Sequence, residues 1–423
     1  MDDKLYGKRL LVLGGSTWKE AIRDFASIHG ITIIAAGLYK VGIYDIADEC
    51  YTLDITNKDI MIPFLKEKKI DGVYMGGAEP VISAACQYLN DIGLPCYCTK
   101  RQWDLLQDKR NFKELCKQNG LPVVPRYDIE QGRNNFDFPV IVKPADGCGS
   151  NGFSICYDSS KLKVAYSHAA NNSPTRSVIC EKFVNNNSVV FFGTFSNGHL
   201  YYSGLEDKIP VKYENEGSYV GGLFIFESKK KEEFRNLYEN KLEQMFNSIG
   251  IKEGPIWIEV FYDNGNYFFN EVGFRYGGSV SIYPIDYFYG YNQVASDIYY
   301  ALTGESRIID NEHLIPPTIK RKQLYCIYPV HLYPGVIKKI VGYKLLKDNS
   351  SVIFANLTKN EGDEVKHTAS FSQVISLVHF VCNNLDECKK MIDVIHQTFQ
   401  VLDENGNNLI NRMLKSENVR FLA

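Results

Sequence analysis

Residues 138–152, Phe-Pro-Val-Ile-Val-Lys-Pro-Ala-Asp-Gly-Cys-Gly-Ser-Asn-Gly, join an apolar run to one lysine, Lys143, and three glycines, Gly147, Gly149 and Gly152. A buried strand of this composition delivers Lys143. Glycine then lets the backbone turn sharply and approach an anion closely, so that N–H groups cradle phosphate oxygens. Lys143 adds a full positive charge to the same anion. The segment is not a P-loop: no Gly-Lys-Ser/Thr follows, and an apolar strand, residues 153–157, stands where a P-loop opens a helix. A glycine-rich hairpin over a nucleotide is the geometry it suggests. Taken alone the loop is weakly specific, with an ordinary turn as its plain alternative.

Residues 255–271 read as two apolar strands around Asn264-Gly265, a strong hairpin signal. Each strand carries one carboxylate, Glu259 and Glu271, among apolar neighbours, where an unpaired charge is costly. A hard cation explains both, since magnesium takes carboxylate oxygens and substrate phosphates together. Register decides whether they meet. A plain two-residue loop sets Glu259 against Asn270 and turns Glu271 to the other face, whereas a three-residue loop with Gly265 in a bulge puts both carboxylates on one face. The bulged form is the expectation. If the second strand continues, Glu271, Gly273 and Arg275 alternate along one face and Arg275 joins the pair.

Other candidates carry less. Glu79 follows a strand and could hold an amino substrate, or simply begin a helix. Lys208, in Glu206-Asp207-Lys208, could reach a transferred phosphate or a carboxylate, or simply face solvent. Cys148 reads as a small side chain filling the glycine loop, and Cys96 and Cys98 are too close together for a zinc pair. No histidine has a convincing Ser, Cys or Asp partner.

These residues need elements to hold them. Over the first hundred residues apolar strands (9–13, 31–35, 72–75) alternate with helices (18–29, 81–92), which implies a parallel sheet covered on both faces, with ligands at the carboxyl ends of its strands. Gly14-Gly15 lacks the rest of a G-x-G-x-x-G fingerprint and reads as a tight turn. A helix spans residues 109–119. Strands then dominate to residue 271, interrupted by a helix at 229–249. Further helices are expected at 291–302 and 386–400.

The whole chain sets outer bounds. Its 423 residues suggest about three domains. Forty-seven Lys plus Arg against fifty Asp plus Glu leave −3, which argues against a nucleic-acid binder. No apolar run approaches the roughly 18 residues of a membrane span, and Met1-Asp2-Asp3-Lys4 lacks a signal-peptide stretch. Eleven cysteines scattered from Cys50 to Cys388 fit free thiols in a reducing compartment. The expectation is a cytoplasmic enzyme.

The order Asp108-Lys109, Val-Lys-Pro with its glycine loop, Glu181-Lys182-Phe183-Val184, Glu259, Glu271 and Arg275 resembles the ATP-grasp superfamily, which includes biotin carboxylase, carbamoyl-phosphate synthetase and L-amino-acid ligases. The last hundred residues, with Pro334-Gly335-Val336-Ile337 and Glu361-Gly362-Asp363-Glu364-Val365, look most like the C-terminal lobe of L-amino-acid ligases. The resemblance implies a mixed α/β and α+β fold. A parallel α/β pre-ATP-grasp domain (1–105) precedes an ATP-grasp domain (106–310, lid about 120–182) and a C-terminal lobe (311–423).

The resemblance also implies roles. Lys109 and Lys143 grip the nucleotide phosphates, and Gly147, Gly149 and Gly152 form the lid over them. Glu181 fixes the adenine amino group while the backbone at Lys182 and Val184 holds the base edge. Glu259 and Glu271 bind Mg2+ (or Mn2+). Arg275 stabilises an acyl-phosphate, with Lys208 beside it and the N–H groups of Gly277 and Gly278 facing the same oxyanion. Two positions depart from the family pattern: Gly273 stands where an Asn metal ligand is common, and Ser188 where an acidic ribose ligand is common. The implied activity is ATP-dependent ligation of a small-molecule carboxylate to an amine, without nucleic-acid or membrane partners and with homodimer formation left open. A carbamoyl-phosphate-synthetase-like enzyme, a purine-precursor ligase and a weakened ATP-binding protein are the alternatives.

Overall fold

The computed structural model describes residues 4–15, 18–129, 136–145, 152–184, 187–213, 219–315 and 324–422. The chain begins with a parallel sheet of β1 (Arg9–Leu13), β2 (Thr32–Gly37), β3 (Glu49–Thr52) and β4 (Gly72–Tyr74), in the order β3-β2-β1-β4. Leu10, Leu11 and Val12 are fully buried in succession, as a strand covered on both faces requires. α1 (Lys19–His29) follows the tight turn expected at Gly14-Gly15, and α3 (Glu79–Ile92) follows β4. Between them α2 (Lys58–Glu67), capped by Asn57, is masked in the sequence by its internal Pro63.

α4 (Lys100–Gln107) and α5 (Lys109–Gln118) lead to a four-stranded antiparallel sheet of β5 (Arg126–Tyr127), β6 (Val140–Pro144), β7 (Ser154–Cys156) and β8 (Val178–Lys182). α6 (Leu162–Asn171) packs on it over a small core that includes Val140, Val142 and Cys180.

The third sheet holds the molecule together. It comprises β9 (Ser188–Ser196), β10 (His199–Lys212), β11 (Tyr219–Phe226), β12 (Gly254–Asp263), β13 (Asn266–Gly273), β14 (Leu324–His331), β17 (Val352–Ala355) and β19 (Val374–Cys382). Their order is β13-β12-β9-β10-β11-β14-β19-β17, antiparallel throughout. The boundary expected near residue 310 therefore does not separate two sheets, because β14 pairs directly with β11. Beyond it, β15 (Gly335–Val336) pairs with β18 (Glu364–Val365), and β16 (Lys339–Val341) with β20 (Gln400–Leu402). α7 (Lys231–Ser248) lends Phe234 and Phe246 to the core under β9 and β12. After α8 (Ile282–Tyr289), α9 (Gln293–Thr303) returns to the first sheet. A Cβ on Gly72 would stand 2.3 Å from the Ala301 carbonyl oxygen, so β4 needs glycine where α9 lies against it. Among the described residues no helix is long and apolar enough to cross a membrane.

Candidate active site

A cavity of about 540 Å3 lies between the four-stranded and the eight-stranded sheet. Lys109, Lys143, Lys208, Glu259, Glu271 and Arg275 all line it, although they come from five separate stretches of chain.

Lys109 is the first residue of α5, whose N-cap, Asp108, accepts hydrogen bonds from the N–H groups of Arg110 (2.7 Å) and Asn111 (3.2 Å). The cap fixes the first turn and with it the Lys109 backbone, and the Lys109 ammonium lies 2.6 Å from Glu271. Lys143, on β6, lies 2.8 Å from Glu181 on β8. The other Glu181 oxygen accepts from Lys113 at 2.5 Å. Burial would raise the Glu181 carboxyl, but Lys143 and Lys113 outweigh it and hold it at about 2. Lys113 was not singled out in the sequence. Its signal is the i,i+4 spacing from Lys109 on one helix.

The register expected of the β12–β13 hairpin is wrong in one respect. The turn is the plain two-residue kind: Asp263 opposes Asn266, and Asn264 and Gly265 both adopt positive φ, 49° and 82°. That pair of conformations is the primed turn that matches strand twist. The bulge exists, but deeper, with Asn270 as the extra residue between Phe269 (opposite Val260) and Glu271 (opposite Glu259). The two carboxylates therefore do face each other. Asn270 is no bystander, since its side-chain amide donates to Glu259 Oε2 at 2.9 Å. The other Glu259 oxygen accepts from Lys208 (2.6 Å) and from the Ser188 hydroxyl (3.3 Å). Burial would raise the Glu259 carboxyl, but Lys208 and Asn270 hold it near 2.

Arg275 does not continue that strand, because β13 ends at Gly273. It reaches the cavity from the following loop. Its Nη2 lies 2.7 Å from Glu79 Oε1, and its guanidinium stacks 5.2 Å from the Trp257 ring centroid. Glu79 is the first residue of α3, and its carboxylate is engaged by Arg275. Gly273 has a steric reason to be glycine: a Cβ there would stand 2.1 Å from Trp257 Nε1. Trp257 lines the cavity directly across from it and was not noticed in the sequence.

Gly277 and Gly278 line the same wall. Gly147 and Gly149 lie outside the described residues. Gly152 has φ 76° and packs where a Cβ would meet Asn172 at 2.4 Å. The Lys182 N–H donates to the Pro125 carbonyl and its ammonium pairs with Asp137 at 2.7 Å, while Val184 is buried. Phe183, between them, lines the cavity.

A sequence model of the carbamoyl-phosphate synthase L chain, ATP binding domain, matches residues 108–191. The carbamoyl phosphate synthase large chain of Kocuria rhizophila is 26% identical over 223 residues, covering 47% of this chain and 18% of that protein. The chain thus spans less than a fifth of the length of that relative. Among solved structures, an L-amino acid ligase from Bacillus licheniformis superposes with TM-score 0.74 at 19% identity, over 95% of this chain and 100% of that one. A phosphoribosylglycinamide synthetase from Anaerococcus prevotii gives 0.72 at 16%, over 94% and 100%. The biotin carboxylase domain of Hydrogenobacter thermophilus 2-oxoglutarate carboxylase, a dimer in complex with MgADP, ADP and bicarbonate, gives 0.73 at 16%, over 93% and 90%.

Proposed function

We propose that this chain, whose fold is that of the ATP-grasp superfamily, is an ATP-dependent ligase joining a carboxylate to an amine through an acyl-phosphate. One observation carries the reading: three lysines, each paired with a carboxylate, line a single cavity with an arginine beside them. Such a set suits a triphosphate and a hard cation together. Lys109 and Lys208 can move from Glu271 and Glu259 to phosphate oxygens, and the two vacated carboxylates can take the cation.

Glu259 and Glu271 fit that cation, being opposed oxygen donors on neighbouring strands. They would hold Mg2+ (or Mn2+), which supplies charge neutralisation on the β- and γ-phosphates. Lys109 and Lys143 bind the phosphates, and the base lies against the apolar wall of Ile141, Ile155, Ile179 and Phe183. Glu181 stands beside the adenine amino group, with the backbone at Lys182 and Val184 along the base edge. A substrate carboxylate oxygen attacks the γ-phosphorus and ADP leaves. Lys208 and Arg275 offset the charge on the acyl-phosphate, and the N–H groups of Gly277 and Gly278 face its oxygen. The amine then forms the C–N bond and phosphate departs. Positioning and electrostatics suffice, with no protein nucleophile.

Incubation with ATP, Mg2+ and pooled amino acids should release phosphate and yield new amides detectable by mass. Tight ATP binding without turnover on any carboxylate would contradict ligation. Products made from bicarbonate or a purine precursor would redirect the substrate assignment.

A further inference from the structure

Glu206 lies on β10 two residues before Lys208, so both side chains leave one face of the eight-stranded sheet and both line the cavity. Glu206 is 1% exposed. Its Oε2 accepts a hydrogen bond from the Ser279 hydroxyl at 3.1 Å, and among the described residues no ion pair reaches it. The surroundings are accounted for element by element. β9 and β11 set Val190 and Phe226 beside it in register, with Phe192 and Phe224 in the cavity wall. The loop after β13 brings first Arg275, which is engaged by Glu79, and then Ser279. Ser370 and Phe371 close the wall without charge. On its own strand Asp207 points to the opposite face, and Lys208 is held by Glu259. An acid thus sits in an apolar part of the cavity with one hydroxyl for company, an arrangement that is costly for the ionised form until a ligand supplies the counter-charge.

We propose that Glu206 and Ser279 form the amine subsite, where Glu206 receives the ammonium of the second substrate and removes the proton that blocks its attack. This rests on the ligase reading and moves the amine away from Glu79, whose carboxylate belongs to Arg275. Burial raises the Glu206 carboxyl to about 8, against the Ser279 bond and Lys208, so it gains and loses a proton near neutral pH. The carboxyl releases its proton to solvent as the ammonium arrives, then takes one N–H proton and leaves a neutral amine. The nitrogen lone pair attacks the acyl carbon, the C–O bond to phosphate breaks, and the second N–H proton departs with the phosphate. In sum, carboxylate, ATP and ammonium become amide, ADP, phosphate and one proton.

The test uses Glu206→Gln and Glu206→Asp in the full chain with ATP, Mg2+ and a mixture of amino acids, run in parallel with added hydroxylamine. Hydroxylamine is unprotonated at neutral pH and traps acyl-phosphate as hydroxamate without a base. For Glu206→Gln, amide formation at neutral pH should fall by about 100-fold or more, while hydroxamate formation and ATP affinity stay near wild type, which also shows that the variant folds. Glu206→Asp should restore part of the amide rate. Unchanged amide formation in Glu206→Gln, or equal loss of amide and hydroxamate, overturns the assignment. A wild type that makes neither product overturns the ligase reading itself, and this role with it.

Discussion

Lys113, Lys143 and Glu181 form the most deeply buried charge cluster at the site, and it has a measurable signature. The Glu181 carboxyl is held at about 2 in the folded chain, against about 4.3 when unfolded. A depressed carboxyl contributes stability that is present above the unfolded value and is lost as pH falls through the folded one. Urea unfolding of wild type should therefore lose, relative to Glu181→Gln, part of its advantage between about pH 4 and pH 2. At neutral pH the same substitution should cost about 3–5 kcal/mol, because the buried Lys113 and the half-buried Lys143 lose their shared partner. Gly273 makes a second residue-scale prediction. If its lack of a side chain were simple loss of a metal ligand, Gly273→Asn would activate the protein. Trp257 already occupies that space, so Gly273→Asn should instead cost about 1–3 kcal/mol by overpacking and lower activity, as thermal melts and phosphate release would show.

Among the elements, α5 and the β12–β13 hairpin position most of the charge. α5 carries Lys109 and Lys113 one turn apart behind a single cap, so Asp108→Ala should cost about 1 kcal/mol and raise the KM for ATP more than it lowers kcat. The hairpin shows what sequence can and cannot tell. Asn264-Gly265 marks the turn, and the burial of two carboxylates among apolar residues marks the site. The bulge cannot be located by pattern, because Asn270 is polar in a strand whose alternation it breaks and its partner, Glu259, is eleven positions away in the chain. Arg275 reaches the cavity for a reason equally invisible to a period-two count: the strand stops at Gly273 and the loop turns back over Trp257. Glu206 was passed over beside the more familiar Lys208, although the two share a face.

On the scale of the whole molecule, alternation of strand and helix was enough to recognise the first parallel sheet, and motif order was enough to anticipate that Lys109, Lys143, Glu259, Glu271 and Arg275 share one cavity. The run of the third sheet through residue 310 was not legible, because strand pairing between β11 and β14 joins segments about a hundred residues apart. A chain ending at residue 310 should therefore be insoluble or misfolded, since it leaves the apolar edge at Phe224, Ile225 and Phe226 unpaired. Solubility and circular dichroism of that truncation check the point. The central claim, that a carboxylate is phosphorylated on the way to an amide, is tested most directly by heavy-oxygen label. The protein is given ATP, Mg2+ and amino acids labelled in their carboxylates, and the released phosphate is analysed by mass. Ligation through an acyl-phosphate places one labelled oxygen in the phosphate; phosphate released without label would contradict it.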